Sequence, residues 1–184
     1  VTDKYYKSGG RNEILLLNLP PDKRGVIHEN DVKSLTEFKA LIDASLATNL
    51  AKGQTASANN YRLKHSKFDP QNTLDGDPTT YWATDDSVFP ATLEISLTEK
   101  TSFDRIMIQE PIHLGQRISQ FEIDVMGTEG WSTIEKGTTV GYKRILRIPK
   151  VNTHKVRIRI TEANNTVALT KVGLYLSSPK ENLE

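Results

Sequence analysis

The most concentrated chemistry in the chain lies in one short turn, Asp75-Gly76-Asp77-Pro78-Thr79-Thr80. Carboxylates and hydroxyls crowd a segment that Gly and Pro bend tightly, and a hard cation such as Ca²⁺ takes its ligands from carboxylates, hydroxyls and carbonyls. A second group is spread over loops: Tyr61, Arg62, His65, Trp131 and Tyr142. Arg and His can bridge sugar hydroxyls while Tyr or Trp stacks on the apolar face of a pyranose, yet loops carry such residues for many reasons. His28, His113 and His154 stand alone, without the short spacings of zinc ligands, and read as surface or interface histidines. No Ser–His–Asp set, phosphate loop or glycine-rich nucleotide turn is visible, and Gly9-Gly10 is too little to make one. Zero cysteines exclude disulfides, thiolate metal sites and cysteine nucleophiles, but not export.

The elements that must position these residues fall into two groups. Residues 14–19, Ile-Leu-Leu-Leu-Asn-Leu, form a continuous apolar run ended by Pro20-Pro21, the pattern of a strand buried on both faces. After the turn Asp22-Lys23-Arg24-Gly25, the spacing of Val32, Leu35, Phe38, Leu41, Ile42 and Leu46 predicts an amphipathic helix from about Glu29. Asn30 or Asp31 is its expected cap, with stops at Asn49 and Gly53. From about Leu50 short alternating runs separated by Gly, Pro, Asn and Asp predict antiparallel strands at 92–97, 103–109, 120–126, 132–135, 144–148, 155–161 and 169–176. Such a series predicts a sandwich, and the strict alternation at 121–125 and 156–160 predicts one face inward and one wet. The division is therefore residues 1–49, an incomplete strand-helix unit; 50–178, a complete β domain; and 179–184, a tail. A lone strand and helix cannot bury enough surface to stand alone, so missing partners are expected before Val1.

A chain of 184 residues holds one domain with room for part of a second. With 36% hydrophobic and 26% charged residues it reads as a soluble globular protein. No apolar run approaches the roughly 20 residues needed to cross a bilayer, and no membrane partner is expected. Lys+Arg 24 against Asp+Glu 23 leaves a formal charge of +1 without a basic stripe, so no nucleic-acid partner is expected either.

Two stretches resemble known families. Lys7-Ser8-Gly9-Gly10-Arg11-Asn12 leading into Leu15-Leu16-Leu17-Asn18-Leu19-Pro20-Pro21-Asp22 and Gly25-Val26-Ile27 is similar to the end of the catalytic domain of α-L-fucosidases of glycoside hydrolase family 29, where the pattern closes a (β/α)8-like barrel. The loop Gly9–Glu13 is longer than in many relatives. Leu74-Asp75-Gly76-Asp77-Pro78-Thr79-Thr80-Tyr81-Trp82 resembles the signature of discoidin-like modules, also called coagulation factor type C domains, many of which act as family 32 carbohydrate-binding modules. Gln109-Glu110-Pro111-Ile112, Gly115-Gln116-Arg117-Ile118 and Phe121 are similar to this module as it stands behind family 29 barrels.

The resemblance implies a mainly β fold, a discoidin-like jelly-roll β-sandwich preceded by a strand-helix remnant of a (β/α)8-like barrel. It implies no catalytic residue here, because both carboxylates of a retaining fucosidase lie on earlier barrel segments. Asp22, Glu29, Asp31, Glu37 and Asp43 then read as a turn and a solvated helix face, and Asn18 stands at the strand end where barrels keep their chemistry. It carries Asp75, Asp77 and Thr80 over as metal ligands with a further carboxylate at position 171, where this chain has Lys171. An ammonium repels Ca²⁺, so no cofactor is expected and Lys171 is expected to replace the cation by hydrogen bonding to Asp75. Trp82 is implied to be a buried anchor, and the sugar contacts fall to the five loop residues named above.

The expected function is the C-terminal part of a retaining α-L-fucosidase, secreted or periplasmic in a bacterium, whose sandwich packs on an upstream catalytic barrel and takes fucosylated or galactose-like glycans. The alternatives are a stand-alone carbohydrate-binding module and an interdomain scaffold that binds nothing. The first predicts an exposed apolar face on Leu15, Leu17, Leu35, Phe38 and Ile42.

Overall fold

The computed structural model describes residues 1–179, so the expected tail lies outside the described residues from position 180 onward. Two helices, α1 (Thr2–Lys7) and α2 (Glu29–Ser45), precede β1 (Thr55–Ala58), β2 (Trp82–Ala83), β3 (Ala91–Gln109), β4 (Ile118–Gly127), β5 (Gly130–Gly137), β6 (Arg144–Ala163), β7 (Ala168–Leu169) and β8 (Lys171–Tyr175). The fold is mainly β, with a large antiparallel sheet ordered β1-β3-β6-β4-β5, β8 added to β3, and a separate β2-β7 pair.

Four of the expected strands fuse into two long ones. The stretches at 92–97 and 103–109 join as β3, and those at 144–148 and 155–161 join as β6. Their register shifts between Ser96 and Thr101, and irregularities of this kind bend a strand pair. Leu93, Ile95, Ile158 and Ile160 from one half of the pair thereby share a core with Ile106, Ile108, Leu146 and Ile148 from the other. Phe103, Phe121 and Trp82 are fully buried in the same core, each worth about 2–3 kcal/mol of apolar transfer. The alternation at 121–125 and 156–160 puts Phe121, Ile123, Val156, Ile158 and Ile160 inside, as expected.

On the far side of this layer Met107, Ile145 and Tyr175 form a second cluster with Tyr6 of α1 and Ile42 of α2, flanked by Phe38 and Leu46. The expected exposed face is corrected by this contact. Ile42 is buried and Phe38 half-buried because the helical stripe has the chain's own sheet to pack against, and Leu15, Leu17 and Leu35 are half-buried as well. The apolar surface left bare lies elsewhere: Ile14 is 92% and Leu16 89% exposed, with Val26, Ile27 and Val32 also open. Residues 14–19 form no ladder among the described residues, since a strand needs a neighbour to accept its backbone hydrogen bonds.

The helix spans the expected residues but is capped differently. The His28 ring Nδ1 accepts the N–H of Asn30 at 3.2 Å, so His28 rather than Asn30 or Asp31 starts it, and Leu46 closes it before Asn49. Asn49 instead braces the linker: its side-chain oxygen accepts the N–H groups of Ala51 and Leu174, both at 3.0 Å.

Candidate carbohydrate-binding site

Loops at one end of the β domain are held by a buried acid. Glu110 is 2% exposed, and its carboxylate accepts the backbone N–H of Arg117 at 2.7 Å, Ile118 at 3.0 Å and Gly141 at 2.6 Å. Three amides take the place of water around one carboxylate and lock residues 110–118 to the 141–142 turn. Asn12 fastens the same turn from outside, its side-chain oxygen accepting the Tyr142 N–H at 2.7 Å. At Gly141, with φ of 63°, an added Cβ would lie 2.4 Å from the Asn12 side chain, so the approach requires glycine.

Two depressions lie on this scaffold, parted by an edge-on contact of Tyr81 with His113 at 5.8 Å between ring centroids. The first, about 340 Å³, is lined by Arg62, Phe68, Tyr81, Asp86, Arg117 and Thr166 among others. Its polar groups are largely spent on one another. Arg62 pairs with Asp86 at 2.7 Å, and Asp86 also takes the Thr166 hydroxyl at 2.8 Å. The Arg62 guanidinium and this hydroxyl lower the Asp86 pKa, and the carboxylate in turn raises that of Arg62.

The second depression, about 320 Å³, is lined by Asp77, Pro78, Ile112, His113, Tyr142 and Lys171 among others. The signature turn forms one wall and closes on itself. Asp75 accepts the Asp77 N–H at 2.8 Å and the Thr80 hydroxyl at 2.7 Å, while Asp77 accepts the Thr79 hydroxyl at 2.7 Å and N–H at 2.8 Å. The Thr79 hydroxyl, and then its N–H, hold the Asp77 carboxyl below the usual carboxylate range. The Thr170 hydroxyl ties the turn to the β domain by donating to the Thr80 carbonyl at 2.6 Å.

The expected bond from Lys171 to Asp75 is not made. Among the described residues Lys171 forms no ion pair, and it lines the second depression instead. The Asp75 oxygens already have donors from within the turn, so the ammonium is not needed there. A calcium ion is poorly matched to this set, because the turn offers carboxylates only from Asp75 and Asp77 and the wall beside it carries the Lys171 ammonium.

The five loop candidates do not converge. Arg62 lies in the first depression and Tyr142 in the second. Tyr61 packs half-buried against the core. His65 caps a short helical turn, its Nδ1 accepting the Lys67 N–H at 3.1 Å, and meets Phe68 edge-on. Trp131 stands on β5, outside both depressions, with the Arg157 guanidinium 4.3 Å from its ring centre. Trp82 is buried and its ring N–H donates to the Asn60 carbonyl at 2.9 Å, as a core anchor should.

Trp131 borders an ion network that sequence reasoning missed. Asp124 faces outward on β4 yet is buried beneath its neighbours, accepting from Arg157 at 2.8 Å, Arg159 at 2.6 Å and Thr133 at 2.7 Å. Burial pushes its pKa up, but the hydrogen bonds from Arg159, Thr133 and Arg157 outweigh that and bring it to about 2. The signal was present: acids at 122 and 124 and arginines at 157 and 159 occupy outward positions of adjacent strands. Of the acids expected on a turn and a solvated helix face, Glu29, Glu37 and Asp43 are exposed while Asp22 and Asp31 are half-buried, with Asp22 and Glu29 paired to Arg24 and Asp43 to Lys39. Asn18 is exposed.

The structure is thus a mainly β domain whose loops gather at one end over a buried tryptophan. The chain belongs to the F5/8 type C domain family, which matches residues 54–172. It is 34% identical over 178 residues to α-L-fucosidase 1 of Arabidopsis thaliana, covering 95% of this chain and 35% of that protein. Among solved structures, SpGH29 is 35% identical with a TM-score of 0.90, covering 96% of this chain and 38% of that one. The Ruminococcus gnavus GH29 fucosidase solved with fucose is 33% identical with a TM-score of 0.89, covering 97% of this chain and 36% of that one. The chain thus spans about a third of the length of these relatives and corresponds to their C-terminal part.

Proposed function

We propose that this chain is the C-terminal part of a retaining α-L-fucosidase, in which the β domain packs beside a catalytic barrel and binds carbohydrate. The observation that carries the reading is the reach of the likeness: the fucosidase match covers 96–97% of the chain, far beyond residues 54–172 of the F5/8 type C domain, and so takes in the apolar run and α2. The bare side chains of Ile14 and Leu16 support it, since an apolar run open to water is an unfinished contact. In this reading residues 14–19 complete a barrel sheet and α2 lies between barrel and β domain. The reacting carboxylates belong to the barrel, and this chain supplies none. Hydrolysis of a nitrophenyl α-L-fucoside by the 184-residue chain alone is expected to be absent, and turnover that survives purification would overturn the reading.

A carbohydrate-binding role rests on the loop end, where arginine, aspartate, lysine and tyrosine side chains line two depressions. Calcium plays no part in this reading, because the signature turn closes through its own hydrogen bonds and Thr170. Thermal melts with and without chelator are expected to coincide; a melting point that rises with added Ca²⁺ would reverse this.

A further inference from the structure

We infer that the depression between the Asp75–Thr80 turn and Tyr142 is a subsite for a neutral pyranose, with Lys171 donating to ring hydroxyls, Asp77 accepting from them and the Tyr142 ring stacking on the sugar. The inference rests on the carbohydrate-binding reading above and assigns its place and chemistry.

Three features of the depression carry it. First, Lys171 is half-buried in the wall and unpaired among the described residues, although Asp77 lines the same cavity. An ammonium and a carboxylate that share a pocket without joining leave a donor and an acceptor facing the same space. Second, Tyr142 is 57% exposed, yet its backbone is fixed on both sides. Its N–H donates to Asn12 and its carbonyl accepts from the Gln109 side chain at 2.8 Å. A ring on a fixed backbone loses little freedom when it stacks. Third, the volume of about 320 Å³ sits at the small end of the range for ligand pockets, roughly 300–1,000 Å³, which suits one sugar ring rather than a long chain.

The charges favour a neutral ligand. The Glu110 carboxylate, its acceptors filled by three backbone amides, lines the depression together with Asp77, so an anion would lose to these two acids much of what it gained from Lys171. A hydroxyl both donates and accepts, so a vicinal diol satisfies the ammonium and the carboxylate together. In the first depression a ligand would first have to displace Asp86 from Arg62.

The test is a calorimetric or NMR titration of the 184-residue chain with fucose, galactose, glucose, mannose, N-acetylglucosamine and glucuronate. It is repeated on Lys171→Met, Tyr142→Ala and Arg62→Met, with thermal melts to establish folding. At least one neutral sugar is expected to bind, with affinity about tenfold weaker in Lys171→Met and in Tyr142→Ala, and within roughly twofold of the parent in Arg62→Met. Glucuronate is expected to bind no more tightly than glucose. Loss of binding in Arg62→Met with none in the other two would overturn this subsite and leave the carbohydrate-binding reading standing at the first depression. Failure of every sugar to bind the parent chain would overturn both.

Discussion

The alternating runs at 121–125 and 156–160 bury their apolar side chains almost completely, whereas the run Ile14–Leu19, richer in leucine than either, leaves Ile14 and Leu16 nearly bare. Hydrophobicity does not separate them. Partners do: β4 and β6 lie between neighbours in one sheet, while residues 14–19 have no ladder among the described residues. Apolar residues become a core only where a second surface is within reach, and α2 makes the same point by resting Ile42 on Met107, Ile145 and Tyr175.

The sharpest way to test this contrast is to damage each side of it. Trp82→Ala empties the centre of the β domain, and a loss of about 3–5 kcal/mol in urea unfolding is expected. An unchanged midpoint would mean the core can collapse around the hole. Glu110→Gln comes next, since an amide brings its own N–H donors into a pocket built from three others. About 1–3 kcal/mol of stability should be lost, with the 110–118 and 141–142 resonances shifting together.

Asp124 gives a smaller effect confined to acid. Its folded pKa, about 2, lies below the unfolded value of 3.8, so its contribution is complete above about pH 4 and fades as pH falls toward 2. Allowing for solvent screening, about 1–2 kcal/mol should disappear across that window, and Asp124→Asn should flatten this part of the curve. The smallest effect is on the other side of the contrast. Leu16→Ser should change stability by less than about 0.5 kcal/mol, while reducing self-association of the chain in sedimentation runs. A large destabilisation there would show that residues 14–19 are already finished within this chain.

The limits of the sequence reading follow the same division. Most strand positions were legible because alternation of period two is a local signal, and so was α2 from its three- and four-residue steps, whereas the short β1 and β2 carry too few residues to show a period. The fusion of strands into β3 and β6 was not, because a bend at a register shift leaves the two halves looking like separate strands in one dimension. The turn at 75–80 is the cluster of oxygen donors its residues predict, but Lys171 is not its partner. Lys171 aligns with an expected acid, yet the hydroxyl of Thr170 holds the turn, a matter of which neighbouring side chain points where.

By itself, then, the sequence determined what depends on near neighbours along the chain: the mainly β composition, the helix over 29–45, the oxygen-rich turn, and the lack of any thiol chemistry. Tertiary structure alone decided that Arg62 and Tyr142 belong to different depressions, that Trp131 belongs to neither, and that Glu110 draws amides from positions 117, 118 and 141 onto one carboxylate. Those facts depend on how distant loops meet at the end of a bent sheet, and hydrogen-bond geometry between residues far apart in sequence leaves no periodic trace in it.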